Sequence, residues 1–450
     1  MSFIIKNYWK YFKREYYKSY ITQKKIRQLS LSEIKKIQWK RLKDLLNYAY
    51  NNNDFYKDYF ESINLNPDLI KIPSDMSKLP ITEKKDYIKN FNKIITKNIK
   101  KDDYAVATTS GSTGEPFQHY VDIYRGEVIE EMAFFLNMEA NGIKSFEKYN
   151  QLRIHFHPPN EIKDFKQKRK KRFLHNIKYY FFPDVIGIKS CTINPENCKD
   201  ILRIIKENNI QIINGFPSAI LNMARLFSQL DMNGVHMKGI ITFGESLFNQ
   251  QRTFISKVFN CPVFMDYGSS ECMRMGFECK RQNGFHMDIY NYYFDYLKGE
   301  NDNKEADLVA TNLNNYVFPF IRYKTNDKIV LCDKTCNCGI NLPLIKNVIG
   351  RSNDVIITHD GNLLSSATFS GYFEEVEKRI PAIRQFQIIK KRNDEMIVKI
   401  VPTEKYNDKI MLIIHNELAQ IMGKSTKITI IPVEFIDPEP SGKTKVLIIE

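Results

Sequence analysis

The segment Thr108–Pro116, TTSGSTGEP, combines five small hydroxyl residues with two glycines. Glycines leave backbone N–H groups open to a ligand and hydroxyls donate further hydrogen bonds, so such a loop can wrap a chain of phosphates. It lacks the Walker A spacing G-x-x-x-x-G-K-[ST], and Gly442-Lys443-Thr444 lacks it too, because Asp437 stands where the first glycine belongs. Taken alone, a flexible turn is the simpler interpretation of this segment.

The surrounding pattern predicts the elements that hold this loop. Residues 104–121 read as a strand, a tight polar loop and a second strand, and an amphipathic helix follows and ends at Asn141-Gly142. Earlier, residues 31–60 show helical spacing, with Ser30 or Ser32 as the cap and the Asn51–Asp54 run as the stop.

Short apolar strands alternate with helices from residue 190 to residue 270. This alternation predicts a parallel or mixed sheet covered by helices. Ligands bind outside the carboxyl ends of the strands in such sheets. The polar turns GESLF (244–248) and YGSSE (267–271), which follow two of these strands, therefore lie where a ligand is expected.

The C-terminal third predicts two further regions. Residues 286–335 read as antiparallel strands, and beyond Gly350 the order β–α–β–β–α–β predicts a small α+β domain. We therefore expect an α/β protein: a large N-terminal domain of mixed sheets covered by helices, residues 1–350, and a small mobile α+β domain, residues 351–450.

Composition narrows the class of protein. The 450 residues are 43% hydrophobic and 26% charged, which excludes a disordered or fibrous chain. The net charge of +15 is concentrated in residues 1–30 and 163–172. Such basic stretches can bind an anionic membrane surface or a nucleic acid, although a solvated helix and loop are the simpler interpretation. No nucleic-acid motif is found, and we expect a cytoplasmic protein without a secretory leader or membrane span.

Six motifs occur in a characteristic order along the chain. They are TSGSTGEP (109–116), GES (244–246), DYGSSE (266–271), YKTND (323–327), GRSND (350–354) and SGKTK (441–445). The series resembles the adenylate-forming superfamily, whose enzymes join a carboxylic acid to AMP. The phrase FPFIRYKTNDKIVL and the CNCG before GRSND are most similar to its phenylacetate–CoA ligase and capsule-biosynthesis (CapK-type) branch.

The resemblance implies a role for individual residues. The phosphate loop would be Ser110, Gly111, Ser112, Thr113 and Gly114, and the adenine pocket would be formed by Gly244, Glu245, Ser246, Asp266, Tyr267, Gly268 and Ser269. Within that pocket Tyr267 would stack on the base. Glu271 would hold Mg²⁺, Asp327 would accept both ribose hydroxyls, and Arg351 would make a second ribose or phosphate contact. Asp354 matches the hinge position.

Lys443 matches the lysine of the mobile C-terminal domain. Two anions meet when a carboxylate attacks the α-phosphorus of ATP, so Mg²⁺ and a lysine ammonium would neutralise the charge. Without the other motifs, Lys443 would read as an exposed cation near a chain end.

The chain departs from the superfamily pattern at two positions. Asn326 stands where glycine usually precedes the acidic residue, and Glu115 stands where lysine is common in the phosphate loop. Asparagine tolerates positive φ better than most residues, so we expect the turn at Asn326 to keep its form. Glu115 puts one phosphate contact in doubt.

Cysteines and histidines form two groups near these motifs. Some members of the resembled branch carry a structural zinc here, which implies Cys279, His286, Cys336 and Cys338 as ligands, with Cys272 and Cys332 close in sequence. Buried, unligated thiols are the alternative. The pair His155-x-His157 lies on a strand-like stretch, where a packing role is the simpler interpretation and substrate contact the alternative.

The resemblance therefore implies adenylation of a small carboxylic acid by ATP with Mg²⁺, followed by acyl transfer to coenzyme A. The alternative acceptor is an amine or hydroxyl of a sugar or carrier in polysaccharide biosynthesis. A non-catalytic nucleotide-binding protein is the weaker rival, since Glu271, Asp327 and Lys443 are all present. We expect a monomer or homodimer, with weak membrane-surface contact through the basic N-terminus.

Overall fold

The computed structural model describes residues 14–108, 117–144, 149–155, 185–244, 247, 249–298, 304–349 and most of 355–450. The gaps in the last range are 359–362, 366–368, 370–371, 374, 377–378, 381, 392–393, 424–425, 435 and 437–446. The chain divides into two compact units. The first comprises residues 1–108, 118–148 and 264–351, and the second comprises residues 109–117, 149–263 and 352–450.

The helices are α1 (Arg14–Ile26), α2 (Leu31–Asn52), α3 (Asp54–Ser62), α4 (Lys84–Lys89), α5 (Phe91–Ile94), α6 (Val128–Ala140), α7 (Cys198–Glu207), α8 (Pro217–Phe227), α9 (Asn249–Phe259) and α10 (Asp408–Met422). The strands are β1 (Tyr104–Thr108), β2 (Gln118–Asp122), β3 (Asn150–His155), β4 (Val185–Lys189), β5 (Ile210–Gly215), β6 (Gly239–Thr242), β7 (Val263–Ser269), β8 (Met273–Glu278), β9 (Phe285–Met287), β10 (Tyr292–Lys298), β11 (Glu305–Asn312), β12 (Tyr323–Leu331), β13 (Leu344–Ile349), β14 (Val355–Ile357), β15 (Leu363–Ser365), β16 (Ile383–Lys390), β17 (Glu395–Pro402), β18 (Lys427–Pro432) and β19 (Leu447–Ile449). Among the described residues, no helix is long and apolar enough to cross a membrane.

The N-terminal helices of the first unit begin and end at the predicted signals. Ser30 caps α2, and its capping box with Glu33 satisfies two backbone N–H groups at the helix start. The predicted stop is also confirmed, because α2 ends at Asn52 and Asn53 caps α3, its side chain accepting from the N–H of Tyr56. The asparagine run therefore ends one helix and starts the next.

Antiparallel strands form the sheet of the first unit, in the order β10-β11-β12-β13-β9-β8-β7. This confirms the antiparallel strands predicted over residues 286–335. The predicted strand–loop–strand is confirmed in its two strands, because β1 and β2 pair antiparallel from Tyr104↔Asp122 to Thr108↔Gln118. The loop between them, 109–116, lies outside the described residues.

Parallel strands form the first sheet of the second unit, in the order β6-β5-β3-β4. Helices α7, α8 and α9 supply apolar faces to the same core as strand residues such as Leu152, Ile186, Ile213 and Ile240. Parallel strands covered by helices are buried on both faces and read as continuous apolar runs, which is why the alternation over 190–270 predicts them correctly.

The C-terminal part of the second unit has a four-stranded sheet of order β18-β17-β16-β19. Helix α10 contributes a buried stripe at helical spacing, Ile410, Ile414, Leu418 and Met422. The two predicted hairpins are confirmed as β14–β15 and β16–β17, and the second predicted helix and the strand after it are confirmed as α10 and β18. The first predicted helix, residues 369–380, lies partly outside the described residues. Strand β19, which pairs parallel with β16, was not predicted. The expected fold class is confirmed, while the domain boundary at residue 350 stays a prediction.

Candidate functional site

A tight hairpin turn joins β7 to β8 in the first unit and carries the motif residues Gly268–Glu271. Gly268 pairs with Arg274, and a Cβ atom at Gly268 would lie 1.9 Å from the carbonyl oxygen of Met273. A side chain does not fit at that distance, so the turn requires glycine here. Inside the turn, the N–H of Cys272 donates to Oγ of Ser269 at 3.1 Å.

Glu271 lies half-buried in this turn, and its side chain is held by a tyrosine. The hydroxyl of Tyr323, the first residue of β12, donates to Oε1 of Glu271 at 2.8 Å. Burial, followed by the charge of Glu271, raises the pKa of Tyr323 well above 10, so the phenol keeps its proton. Tyr323 belongs to the YKTND motif, but only the folded chain places its hydroxyl on Glu271.

A bulge in β12 directs Asp327. The pairing of β11 with β12 passes from Val309↔Lys324 to Asp307↔Lys328, so three residues of β12 oppose one residue of β11. Asn326 takes φ 62° in this bulge, which confirms that asparagine supports the geometry expected of glycine. The hydroxyl of Thr325 accepts from the N–H of Asp327 at 3.2 Å.

Asp327 is in turn bound to Tyr267 on β7. The hydroxyl of Tyr267 donates to Oδ2 of Asp327 at 2.7 Å. The Tyr267 ring is buried, and burial together with the Asp327 charge raises its pKa well above 10. The structure therefore brings together three of the predicted residues, Tyr267, Glu271 and Asp327, and adds Tyr323. Base stacking by Tyr267 stays a prediction.

Asp266 points into a buried ion-pair cluster. Its Oδ2 lies 2.9 Å from Nε of Arg274, and its Oδ1 accepts from Nδ2 of Asn137 at 3.3 Å. Arg274 also forms an ion pair with Glu130. Burial raises the pKa of Asp266 and of Glu130, and the Arg274 guanidinium opposes that shift in both. The Asp266 carboxylate is thus engaged by protein groups, and its contact with adenine stays a prediction.

The remaining predicted nucleotide-site residues lie in the second unit or outside the described residues. Gly244 follows β6 in the second unit with φ +78°, a conformation that favours glycine. Outside the described residues lie Ser110, Gly111, Ser112, Thr113, Gly114, Glu245, Ser246, Arg351, Asp354 and Lys443. Their roles stay predictions.

The four predicted metal ligands lie together in the first unit. One ligand atom from each of Cys279, His286, Cys336 and Cys338 lies within 4.8 Å of every other. The sulfurs of Cys279 and Cys336 are 3.7 Å apart, and Sγ of Cys338 is 3.3 Å from Nε2 of His286. Tetrahedral Zn²⁺ with Zn–S bonds of ~2.3 Å places two sulfurs about 3.8 Å apart, so the group fits zinc.

The protonation state of His286 suits a metal, whereas two of the thiols must release protons to bind one. Burial lowers the pKa of His286 to about 4, so its imidazole is neutral at pH 7. Burial raises the pKa of Cys279 to about 12 and also raises that of Cys338. The thiols of Cys279 and Cys338 therefore hold protons in the metal-free protein, which a bound cation would displace.

His155 ends β3 in the second unit and packs among aromatic rings. Its ring lies 5.3 Å from the ring of Phe216 and is stacked at 5.7 Å on the ring of Phe243. This packing supports the simpler of the two interpretations offered for the pair, and His157 lies outside the described residues.

Comparison with known proteins gives relatives along most of the chain. Residues 356–450 match the CapK C-terminal domain family. Protein CapK of Staphylococcus aureus is 25% identical over 97% of this chain and 93% of its own length. The phenylacetate-coenzyme A ligase of Pseudomonas putida is 22% identical over 79% of this chain and 77% of its own length. The predicted resemblance to the adenylate-forming superfamily is confirmed.

Solved structures show the same fold. A 2-hydroxyisobutyryl-CoA ligase, in complex with 2-HIB-AMP and CoA in the thioesterification state, superposes with a TM-score of 0.62. It is 15% identical, and the match covers 94% of this chain and 91% of that one. The chain thus has the fold of this CoA ligase, and its residues 356–450 match the CapK C-terminal domain.

Proposed function

We propose that this protein is an adenylate-forming acid–thiol ligase. An oxygen of a carboxylate substrate attacks the α-phosphorus of ATP, a new P–O bond forms, and pyrophosphate leaves with the electrons of the broken bond. In the second step a thiol sulfur attacks the acyl carbon of acyl-AMP, and AMP leaves. The products are AMP, pyrophosphate and a thioester.

The observation that carries the proposal is the pairing of two acidic residues with two tyrosines. Asp327 accepts from Tyr267 at 2.7 Å and Glu271 accepts from Tyr323 at 2.8 Å, so two motifs distant in sequence are hydrogen-bonded to each other at two points. An ionised carboxylate offers two acceptor oxygens and no donor, which suits the vicinal hydroxyls of a ribose at Asp327.

The other motifs supply the rest of the proposed nucleotide site. The loop 110–114 would bind the phosphates, and Arg351 would assist Asp327. The Asp266–Ser269 segment and residues 244–246 would surround the adenine. Lys443 would neutralise the α-phosphate during the first step, as a compact charge on a flexible stem.

Glu271 would hold Mg²⁺ together with the phosphates and water. The carboxylate is half-buried and already fixed by Tyr323, and Mg²⁺ in nucleotide sites is usually bound through one or two carboxylates. The ion would supply charge neutralisation at the phosphates.

Coenzyme A is the proposed acceptor, supported by phenylacetate-coenzyme A ligases among the relatives. An amine or hydroxyl of a sugar or carrier is the second candidate. It is favoured by the match of residues 356–450 to the CapK C-terminal domain and by the CapK relative, which covers more of the chain than the ligases do. A role in capsular polysaccharide synthesis would follow from that second acceptor.

One assay tests the proposal and separates the acceptors. Pyrophosphate release is measured with a panel of carboxylic acids, with and without CoA. Acid-dependent release that CoA accelerates, with thioester formed, supports the ligase. Acid-dependent release without a CoA effect favours the amine or hydroxyl acceptor. No release with any acid, despite Mg·ATP binding, favours the non-catalytic rival.

We also propose that Cys279, His286, Cys336 and Cys338 bind one structural Zn²⁺. The 3.7 Å sulfur–sulfur distance and the neutral imidazole support this assignment. Four protein ligands close the coordination shell, which is typical of a structural site.

A further inference from the structure

The turn that carries Glu271 is hydrogen-bonded to both strands of the β1–β2 hairpin. Nε2 of His119, on β2, lies 3.0 Å from the carbonyl oxygen of Ser270. Oγ of the same Ser270 donates to the carbonyl oxygen of Thr108, the last residue of β1, at 3.2 Å. Ser270, the residue directly before Glu271, is therefore held through both its backbone and its side chain.

The first of these bonds fixes the proton on His119. A carbonyl oxygen offers lone pairs only, so Nε2 must carry the hydrogen and donate. The His119 side chain is completely buried, with its ring edge-on to Phe320 at 5.5 Å between centroids. It occupies the inward face of β2 between buried Phe117 and Val121, where an apolar residue would cost less to bury. The imidazole at this position is explained by the bond that it makes.

The two bonds end on neighbouring rungs of the hairpin. His119 pairs with Ala107, and Thr108 pairs with Gln118, so both anchors lie at the end of the hairpin where residues 109–116 connect β1 to β2. His119 and Thr108 thus belong to the regular antiparallel pairing of β1 with β2, and this pairing fixes where the turn lies.

We propose that His119 and Ser270 are positioning residues for nucleotide binding, which fix the backbone of the Glu271 turn while Tyr323 fixes its side chain. The inference rests on the proposed function, because it assigns these residues through the role of Glu271. A misplacement of about 1 Å at a reacting group can cost on the order of 100-fold in rate, so a turn that carries a metal-binding carboxylate gains from such fixing.

Three variants test the proposal by ATP–pyrophosphate exchange at varied Mg·ATP. His119→Leu removes the donor at similar size, and we expect the KM for Mg·ATP to rise about tenfold with a smaller change in kcat. His119→Gln returns an N–H donor near the position of Nε2, and KM should return to within about threefold of the parent value. Ser270→Ala should raise KM less than His119→Leu does. The variant with both substitutions should raise KM by less than the product of the two separate fold-changes, because both bonds act on one turn.

Gln38→Met is the matched control. Gln38 is a buried residue of the first unit whose Nε2 donates to the carbonyl oxygen of Tyr292 at 2.7 Å, a bond that involves neither His119 nor Ser270. Its loss should lower the melting temperature but leave the KM for Mg·ATP unchanged. An equal rise in KM for Gln38→Met and His119→Leu, or no rescue by His119→Gln, would overturn the positioning role.

Hydrogen exchange separates this inference from the proposed function. Amides of residues 269–273 should exchange faster in His119→Leu and Ser270→Ala than in the parent and in His119→Gln. If the parent protein neither exchanges pyrophosphate nor binds Mg·ATP in a calorimetric titration, the proposed function fails for every variant alike. If the parent binds Mg·ATP and His119→Leu binds it equally well, only the positioning role fails.

Discussion

The hydroxyl of Tyr267 donates to Oδ2 of Asp327 across 2.7 Å, although their strands are not neighbours. Strands β8, β9 and β13 lie between β7 and β12 in the sheet. The sheet must therefore curl for these side chains to meet, and the second bond, from Tyr323 to Glu271, joins the same two regions. The two motifs are hydrogen-bonded to each other because the sheet brings these parts of β7 and β12 together.

Removal of the Tyr267 hydroxyl separates the predicted stacking of its ring on the base from its hydrogen bond to Asp327. Tyr267→Phe keeps the ring and should raise the KM for ATP by ~3–10-fold, since a hydrogen bond to a charged group contributes ~1.5–3 kcal/mol and part of it serves to orient Asp327. Asp327→Asn should raise the KM for ATP more, by roughly 100-fold over the parent, because the charged acceptor itself is lost. Steady-state kinetics of pyrophosphate release give both values.

Asp68→Asn, at an exposed position in the first unit, is the control for this series and should leave the KM unchanged. A larger effect from Tyr267→Phe than from Asp327→Asn would show that Asp327 does not bind the ribose.

Substitution of Glu271 tests the magnesium assignment. Glu271→Gln keeps an acceptor for Tyr323 but removes the charge, so adenylation should fall by ~100-fold or more while the melting temperature stays within a few degrees. Tyr323→Phe should lower activity less, because the carboxylate remains. Unchanged pyrophosphate release in Glu271→Gln, or unchanged dependence on Mg²⁺ concentration, would contradict the assignment.

Purified protein should contain about one zinc per chain, measured by metal analysis after purification without chelator. Cys336→Ser should lower the melting temperature by roughly 6–12 °C, since a loss of about 3 kcal/mol at ~2–4 °C per kcal/mol in a domain of this size gives that range. Activity per folded molecule should change little. Cys332→Ser is the matched control, because this nearby thiol stands outside the four-residue group. Equal zinc content in Cys336→Ser and Cys332→Ser would contradict the assignment of Cys336 as a zinc ligand.

Lys443→Ala tests the lysine predicted from sequence. We expect it to impair acyl-AMP formation but to spare thioester formation from pre-made acyl-AMP, because the ammonium would act only on the phosphorus under attack. Single-turnover kinetics of each half-reaction make the comparison, with Lys445→Ala as the control for a register error. Equal loss of both halves would contradict a step-specific lysine.

The sequence by itself predicts much of the secondary structure, because its signals are local. Ser30 begins a helix through its own hydrogen bond with Glu33, and asparagine at 326 accepts positive φ through its own backbone preference. The parallel strands are predicted for the same reason, since burial on both faces leaves continuous apolar runs along the chain. Strand β19 escapes prediction because three residues, Leu447–Ile449, carry too short a pattern.

The partners of the site residues were decided only by the tertiary structure. Tyr267 and Asp327 are 60 positions apart in the sequence. Many residues at the same separation do not touch, so the spacing alone does not show that these two form a hydrogen bond. The same holds for Tyr323 on Glu271, for His119 on Ser270, and for Asp266, whose motif predicts a nucleotide pocket while its carboxylate meets Arg274. The motifs specify which side chains are available. The curl of the sheet and the bulge at Asn326 decide which of them meet, because long-range contacts depend on the packing of the whole unit.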